Sequence, residues 1–306
     1  MEASENGRRA RAATGLARRV VTRFVAADGT THVRALAYQS MFIVLSGFVG
    51  LVGLASVLDA ELVRNVVVEL STSMAPGPAG RLLGEAAQSG SQGGTTAAVV
   101  GLAAASLAGT LAMAQIERSA NRLGGSDRDR PGVLRYLAAF ALAASVGVLL
   151  AAGALILAGG RALASGFGWT DELETIWSIA RWPTGILVVL GAVLLLYRLA
   201  PRIRFARGRP LWIGAAVAVV LWVAFTGGLA LYFSLSSGSS PYGSLLSIIA
   251  LLLWSMLTSL ALHIGLATAA ELSDKPHPGR TKEDEIAPPD RTAKPDRRAT
   301  TQDLRV

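Results

Sequence analysis

The chain has no cysteine, only three histidines (His32, His263 and His277), three lysines, and charged side chains at 16% of its 306 residues. An ordinary soluble domain carries about a quarter charged residues. The missing cysteine excludes disulfides and thiolate metal sites. Three histidines this far apart in sequence are too few and too scattered to suggest a histidine metal centre. Catalytic signatures are missing as well: there is no His-Glu-x-x-His, no P-loop and no Gly-x-Ser-x-Gly. Metal-assisted hydrolysis needs carboxylates that converge in one pocket. The nearest thing to a cluster, Asp171, Glu172 and Glu174, consists of near neighbours that point apart on a helix. Those acids read as a solvated helix start. The expectation is a protein that is not an enzyme and holds no cofactor and no metal.

What the chain does have is apolar sequence, 52% of it, with a mean hydropathy of +0.46. The apolar residues come in blocks, and a block of about 20 crosses the hydrocarbon core as a helix. Six blocks qualify, at 39–58, 95–116, 134–157, 183–197, 211–235 and 243–270, with Arg135 the one charge inside them. The fourth is short and is expected to start earlier, near Ile179. The fold class predicted is therefore all-α and integral to a membrane: six transmembrane helices, with amphipathic helices in two outer loops. The domain layout follows as 1–33, a basic cytoplasmic segment; 34–272, the six-helix membrane domain; and 273–306, a Pro-rich tail of mixed charge expected to be disordered. The basic stretch before the first block is long and lacks a small-residue cleavage pattern, so that block reads as a retained span and not as a cleaved signal.

Charge sets the expected orientation. All but four of the 29 basic residues, counting Arg135 at the edge of the third block, fall before the first block, between the second and third, between the fourth and fifth, or after the sixth. By the positive-inside rule these segments are cytoplasmic, which places both termini in the cytoplasm of a bacterium. Tyr38, Tyr136, Tyr197 and Trp212 then fall at inner ends, and Trp182, Tyr232 and Tyr242 at outer ends, as interfacial belts require. The net charge of +8 faces anionic lipid heads, so no nucleic-acid partner is implied.

The outer loop 59–94 contains two amphipathic pieces, 61–70 and 81–87, expected to lie in the outer interface, and a Gly-rich hinge at 90–94. Small residues within the spans (Gly47, Gly50, Gly53, Ala105, Gly109, Gly214, Ala218) are read as packing positions. Polar groups inside a membrane are functional candidates. Here they are Gln39, Gln115, Glu117, His263 and Glu271, all toward the cytoplasmic side. One reading has Glu117 or Glu271 facing Arg34, Arg118 or Arg198 across an inner vestibule. The plainer reading has the two acids mark helix ends, paired with nearby arginines, and His263 make a hydrogen bond at a helix interface.

Several stretches, in this order, resemble the YihY/BrkB family of bacterial inner-membrane proteins over roughly 34–272. They are Arg34-Ala35-Leu36-Ala37-Tyr38-Gln39; Arg181-Trp182-Pro183; Leu196-Tyr197-Arg198-Leu199-Ala200-Pro201; Gly214 with Leu221-Trp222; and the run 242–254 from Tyr242 and Gly243 to Trp254. Two departures stand out. Ser46-Gly47 replaces the family's Pro after a Ser-rich stretch. Gly265-Leu266-Ala267-Thr268-Ala269 lacks the acid of the family's Gly-Ala-Glu-Leu-Asn, leaving Ala267 in its place and Glu271 beyond it. The resemblance implies six spans in the inner membrane and a link to serum resistance and envelope lipid handling. Members once carried a tRNA-processing ribonuclease label, for which this chain has no nuclease carboxylate set. Residues expected to matter are Tyr38, Gln39, Gln115, Glu117, Arg181, Pro183, Arg198, Tyr242, Gly243 and Glu271, with Pro183 starting a helix and Gly243 allowing a tight turn. The expected role is transport or export of a lipid or envelope precursor. The alternative is a non-transporting scaffold or partner subunit. The expected partners are membrane lipids and an envelope protein.

Overall fold

A computed structural model describes residues 2–59, 77–125, 132–158, 171–201, 208–235 and 243–273. Every element among them is helical: α1 Glu2–Ala26, α2 Gly29–Val57, α3 Pro78–Leu123, α4 Gly132–Ala158, α5 Asp171–Leu199, α6 Arg209–Leu235 and α7 Gly243–Ser273. The 61–70 piece and the tail beyond Ser273 lie outside the described residues.

Burial is inverted relative to a water-soluble bundle. Large apolar side chains face outward along every span, among them Phe42, Val99, Leu107, Leu137, Val148, Leu187, Val220, Leu231 and Ile249. Polar side chains are inside: Gln115, Glu117, Asn121, Ser255, Ser259 and His263 are all buried. Backbone groups in hydrocarbon must be satisfied within the segment, which helices alone do without closure into a barrel. Five helices (α2, α3, α4, α6 and α7) are long and apolar enough to cross a membrane. The expected fourth span is a shorter apolar stretch, Pro183–Leu199, within α5.

Helix α7 is central, packing against α6, α2, α3 and α1. It meets α6 at a backbone-to-backbone contact: a Cβ added to Gly214 or to Gly265 would lie 2.5 Å from the other residue's carbonyl oxygen. Helix α2 meets α3 as closely, with Gly50 against Gly101 and Leu102, and Gly53 against Ala98. Without hydrophobic driving force in lipid, close backbone approach and dispersion hold helices together. Of the small residues singled out above, Gly50, Gly53, Gly214 and Ala218 do this, Gly109 lies beside Ala143, and Gly47 has no neighbour within 4 Å of an added Cβ.

The first outer loop differs from expectation. Helical structure runs from Pro78 through the sequence-predicted hinge, interrupted only at Gly94 (φ 49°, ψ −126°). Gly90 packs on Val49 and Gly101 on Gly50, adjacent residues of α2. Eleven residues of straight helix would span about 16 Å. The chain therefore doubles back at Gly94, a conformation glycine adopts without a Cβ clash. The limb 78–93 does not lie on the outer surface. Ala79, Leu83 and Ala87 are buried, the first two in a cluster with Leu229, Leu251 and Trp254.

The second outer helix is not separate either. The acids at 171–174 do start a helix, and it continues unbroken to Leu199. Pro183 is consequently inside α5 and not at its start. It offers no N–H to the carbonyl of Ile179, the cost a mid-helix proline imposes.

At the other extreme of the chain the basic segment is ordered as α1. Leu16, Val20 and Phe24, spaced four apart, pack into the main core. Asp28 takes a left-handed conformation (φ 55°) between α1 and α2, and Thr31 Oγ1 donates to its carboxylate at 3.0 Å. The ring of Phe24 folds onto Gly29, in space a side chain there would fill.

Candidate functional site

Polar residues from six helices converge where α2 begins and α3 and α7 end. The geometry starts with α2, whose His32 is buried against α7. Its ring stacks on that of His263, centroids 6.5 Å apart and planes 9° from parallel. On the far side Gln115 of α3 donates from Nε2 to His32 Nδ1 at 2.6 Å. That bond puts the ring proton of His32 on Nε2. His263 Nδ1 donates to the Ser259 carbonyl one turn back, 2.8 Å away, so its Nε2 is a lone-pair acceptor. His263 was expected to hydrogen-bond across an interface. Instead it bonds within its own helix and meets α2 by stacking.

Two residues on from Gln115, half a turn round α3, Glu117 is 1% exposed, with buried Ser119 and Asn121 after it. Arg135, the one charge inside the predicted spans, reaches from α4 to donate from Nη2 to the Ala114 carbonyl at 2.9 Å. From α5, Tyr197 donates its hydroxyl to the Leu262 carbonyl. These bonds tie α4 and α5 to the helices carrying the acids and the imidazoles.

The last turn of α7 presents Glu271, and α1 closes on it. Arg19 Nε lies 2.8 Å from Oε1, and Arg23 Nη1 lies 3.2 Å from Oε2. Arg23 Nε also donates to the Leu123 carbonyl at 2.8 Å, a cation on the last turn of α3 where the helix dipole favours it. The plainer expectation for Glu271, a helix-end acid paired with arginines, is what the structure shows. The arginines are not those proposed. Arg34 and Arg198 are exposed, and the partners come from the segment read as a basic cytoplasmic stretch.

The sequence-predicted residues thus divide. Gln115 and Glu271 join this assembly, and Glu117 is buried on the same stretch of α3. Gln39 lies two turns along α2 from His32, its Oε1 buried and without a hydrogen-bond partner. Tyr38 and Pro183 are exposed, as is Arg198, away from the assembly's core. Gly243 is the first residue of α7 and not the middle of a turn. Tyr242 lies outside the described residues, and Arg181 is on α5 with its side chain outside them. Sequence reasoning missed His32, Arg19 and Arg23. A signal for the first existed: His32 and Gln39 are seven residues apart, hence on one helix face, and Gln39 was already a candidate. Among the described residues no group of three or more His, Asp or Glu could hold a metal.

Buried polar groups inside an apolar exterior, on helices of spanning length, define a polytopic α-helical membrane protein. Residues 20–289 match the model of the family described as Virulence factor BrkB, and the chain belongs to that bacterial family. Searches of curated proteins and of solved structures found no match to it.

Proposed function

We propose that the protein is a six-crossing protein of the bacterial cytoplasmic membrane that moves an amphiphile, a lipid or an envelope precursor, with its polar assembly at the cytoplasmic face. The observation that supports this is the doubled-back helix α3. Its limb 78–93 is inserted among α2, α6 and α7, and its break at Gly94 sits next to Gly53. Broken helices packed inside a membrane bundle are a recurrent feature of transporters, because they supply an element that can shift without unravelling a span. The sixth crossing is α5: it lies between α4 and α6 in the packing order, and its end joins the same assembly. The distribution of arginine supports the orientation.

The test is lipid movement in proteoliposomes, with fluorescent lipids of several headgroup classes and a folded, monodisperse sample. Transfer above empty liposomes that falls when Gly94 is replaced by Pro supports the reading. No transfer of any class overturns it.

A second reading, a scaffold or partner subunit without transport, is favoured by the tightness of the bundle, with backbone contacts at Gly50–Gly101 and Gly214–Gly265. An envelope protein that co-purifies and is lost when Glu271 is replaced would support it.

A further inference from the structure

Hydroxyls on the spans of this bundle usually bond the carbonyl three or four residues back, as Ser46, Thr110, Ser145 and Thr184 do. Helix α7 follows that habit near its end, where Thr268 donates to Ile264 and Ser273 to Ala269. It abandons the habit farther up. Ser255 Oγ, Thr258 Oγ1 and Ser259 Oγ are buried and make no hydrogen bond, and neither does His263 Nε2. Ser255 is 1% exposed, Ser259 0% and His263 2%. Ser255, Ser259 and His263 are spaced four apart, so they form one ridge of the helix.

Helix α2 supplies the facing element. His32 near the start of α2 stacks on His263 of α7, and farther along α2 Leu45 and Phe48 pack against the cluster that holds Leu251 and Trp254, earlier in α7, so the two run antiparallel. Gln39 is seven residues on from His32, on the same face and about 10 Å farther along. Ser255 is eight residues back from His263, about 12 Å along α7. The buried, unbonded Oε1 of Gln39 therefore falls at about the level of Ser255, on the face of α2 that carries His32. Two helices place unsatisfied polar groups at one depth, where hydrocarbon surrounds the bundle and leaving such groups unbonded is costly.

We propose that this ridge binds a short file of water molecules, from Ser255 and Gln39 through Ser259 to His263 Nε2. Successive rungs are about 6 Å apart along the axis, and a bent water with two bonds of about 2.8 Å spans about 4.6 Å, so each interval takes one or two waters. The chemistry of the rungs suits water. Serine hydroxyls donate and accept, Gln39 Oε1 accepts, and His263 Nε2 accepts because its Nδ1 proton is spent on Ser259. A buried water needs two to four polar partners, and each gap in the file has two or more. The ridge closes below at Ala267, whose side chain has no polar atom, and above at Leu251, buried between Ser247 and Ser255. The inference does not rest on transport.

Water-edited solid-state NMR on the full chain in lipid bilayers tests it, with 15N-histidine, 13C-serine and 13C-leucine labels and bulk water as the probe. Magnetisation is expected to pass from water to His263 Nε2 and to the Ser259 side chain much faster than to lipid-facing Leu137. The Ser255→Ala, Ser259→Ala double variant is expected to slow transfer at His263 to the lipid-facing level. Transfer in the wild type no faster than at Leu137 would overturn the proposal without need of any variant. A folded double variant with unchanged transfer at His263 would overturn it too, by showing that no file passes the serines.

Discussion

Arg23 and Arg19 both reach Glu271, yet they are not equivalent. The Arg19 side chain is 56% exposed and the Arg23 side chain 19%. Exposed ion pairs contribute about 0–1 kcal/mol because water screens them and side-chain entropy opposes them. A part-buried cation that also satisfies a helix-terminal carbonyl is worth more, since its loss leaves two acceptors short. Arg23→Ala is expected to lower unfolding stability by about 1–3 kcal/mol and Arg19→Ala by about 1 kcal/mol at most. Chemical unfolding in mild detergent would check the order. Equal costs would mean that the bond to the Leu123 carbonyl adds nothing to the Glu271 ion pairs. Replacing Glu271 with Ala is expected to loosen α1, seen as faster amide exchange across 14–26 with α2 unchanged.

Among the elements, the bend in α3 and the α6–α7 crossing each depend on one glycine type for different reasons. Gly94 holds a positive φ with ψ −126°, a backbone conformation that side chains rarely adopt, so Gly94→Ala is expected to cost about 1–3 kcal/mol although nothing lies within 4 Å of where the added Cβ would sit. Gly265 has ordinary helical geometry but no room, with the Gly214 carbonyl and Ala218 against it. Gly265→Val is expected to separate α6 from α7 and to abolish recovery of monodisperse protein. Gly147 on α4 meets neither constraint, and Gly147→Ala should leave stability unchanged or raise it by up to about 1 kcal/mol, the helix-propensity difference. Thermal stability of the three variants side by side separates backbone strain from steric exclusion.

For the whole molecule the prediction concerns which way it faces. The chain contains no cysteine, so single cysteines introduced one at a time report sidedness without a background. Cysteines at Arg34, Arg122 and Arg198 are expected to label from one side of intact spheroplast or inverted vesicle membranes, and one at Glu172 from the opposite side. Labelling of position 198 from the same side as position 172 would remove α5 as a crossing and reduce the count from six to five.

Fold class was legible in the chain because a spanning helix is a local property. Twenty apolar residues and their flanking arginines can be read without knowing what they touch. The family likeness, the helical start at Asp171 and the break near 90–94 were legible for the same reason. What the break does was not. A glycine hinge permits many directions, and only the contacts of Gly90 and Gly101 with neighbouring residues of α2 decided that the chain folds back into the bundle. The site divided along the same line. Gln115, Glu117, His263 and Glu271 stood out because polar groups are rare in such segments. Their partners did not, since His32 lies 231 residues from His263 and the contact holding α1 spans 252 residues from Arg19 to Glu271. A sequence records which groups must be satisfied in an apolar environment. Which groups satisfy them is settled by helix packing, because depth and face become shared coordinates only once the helices are side by side.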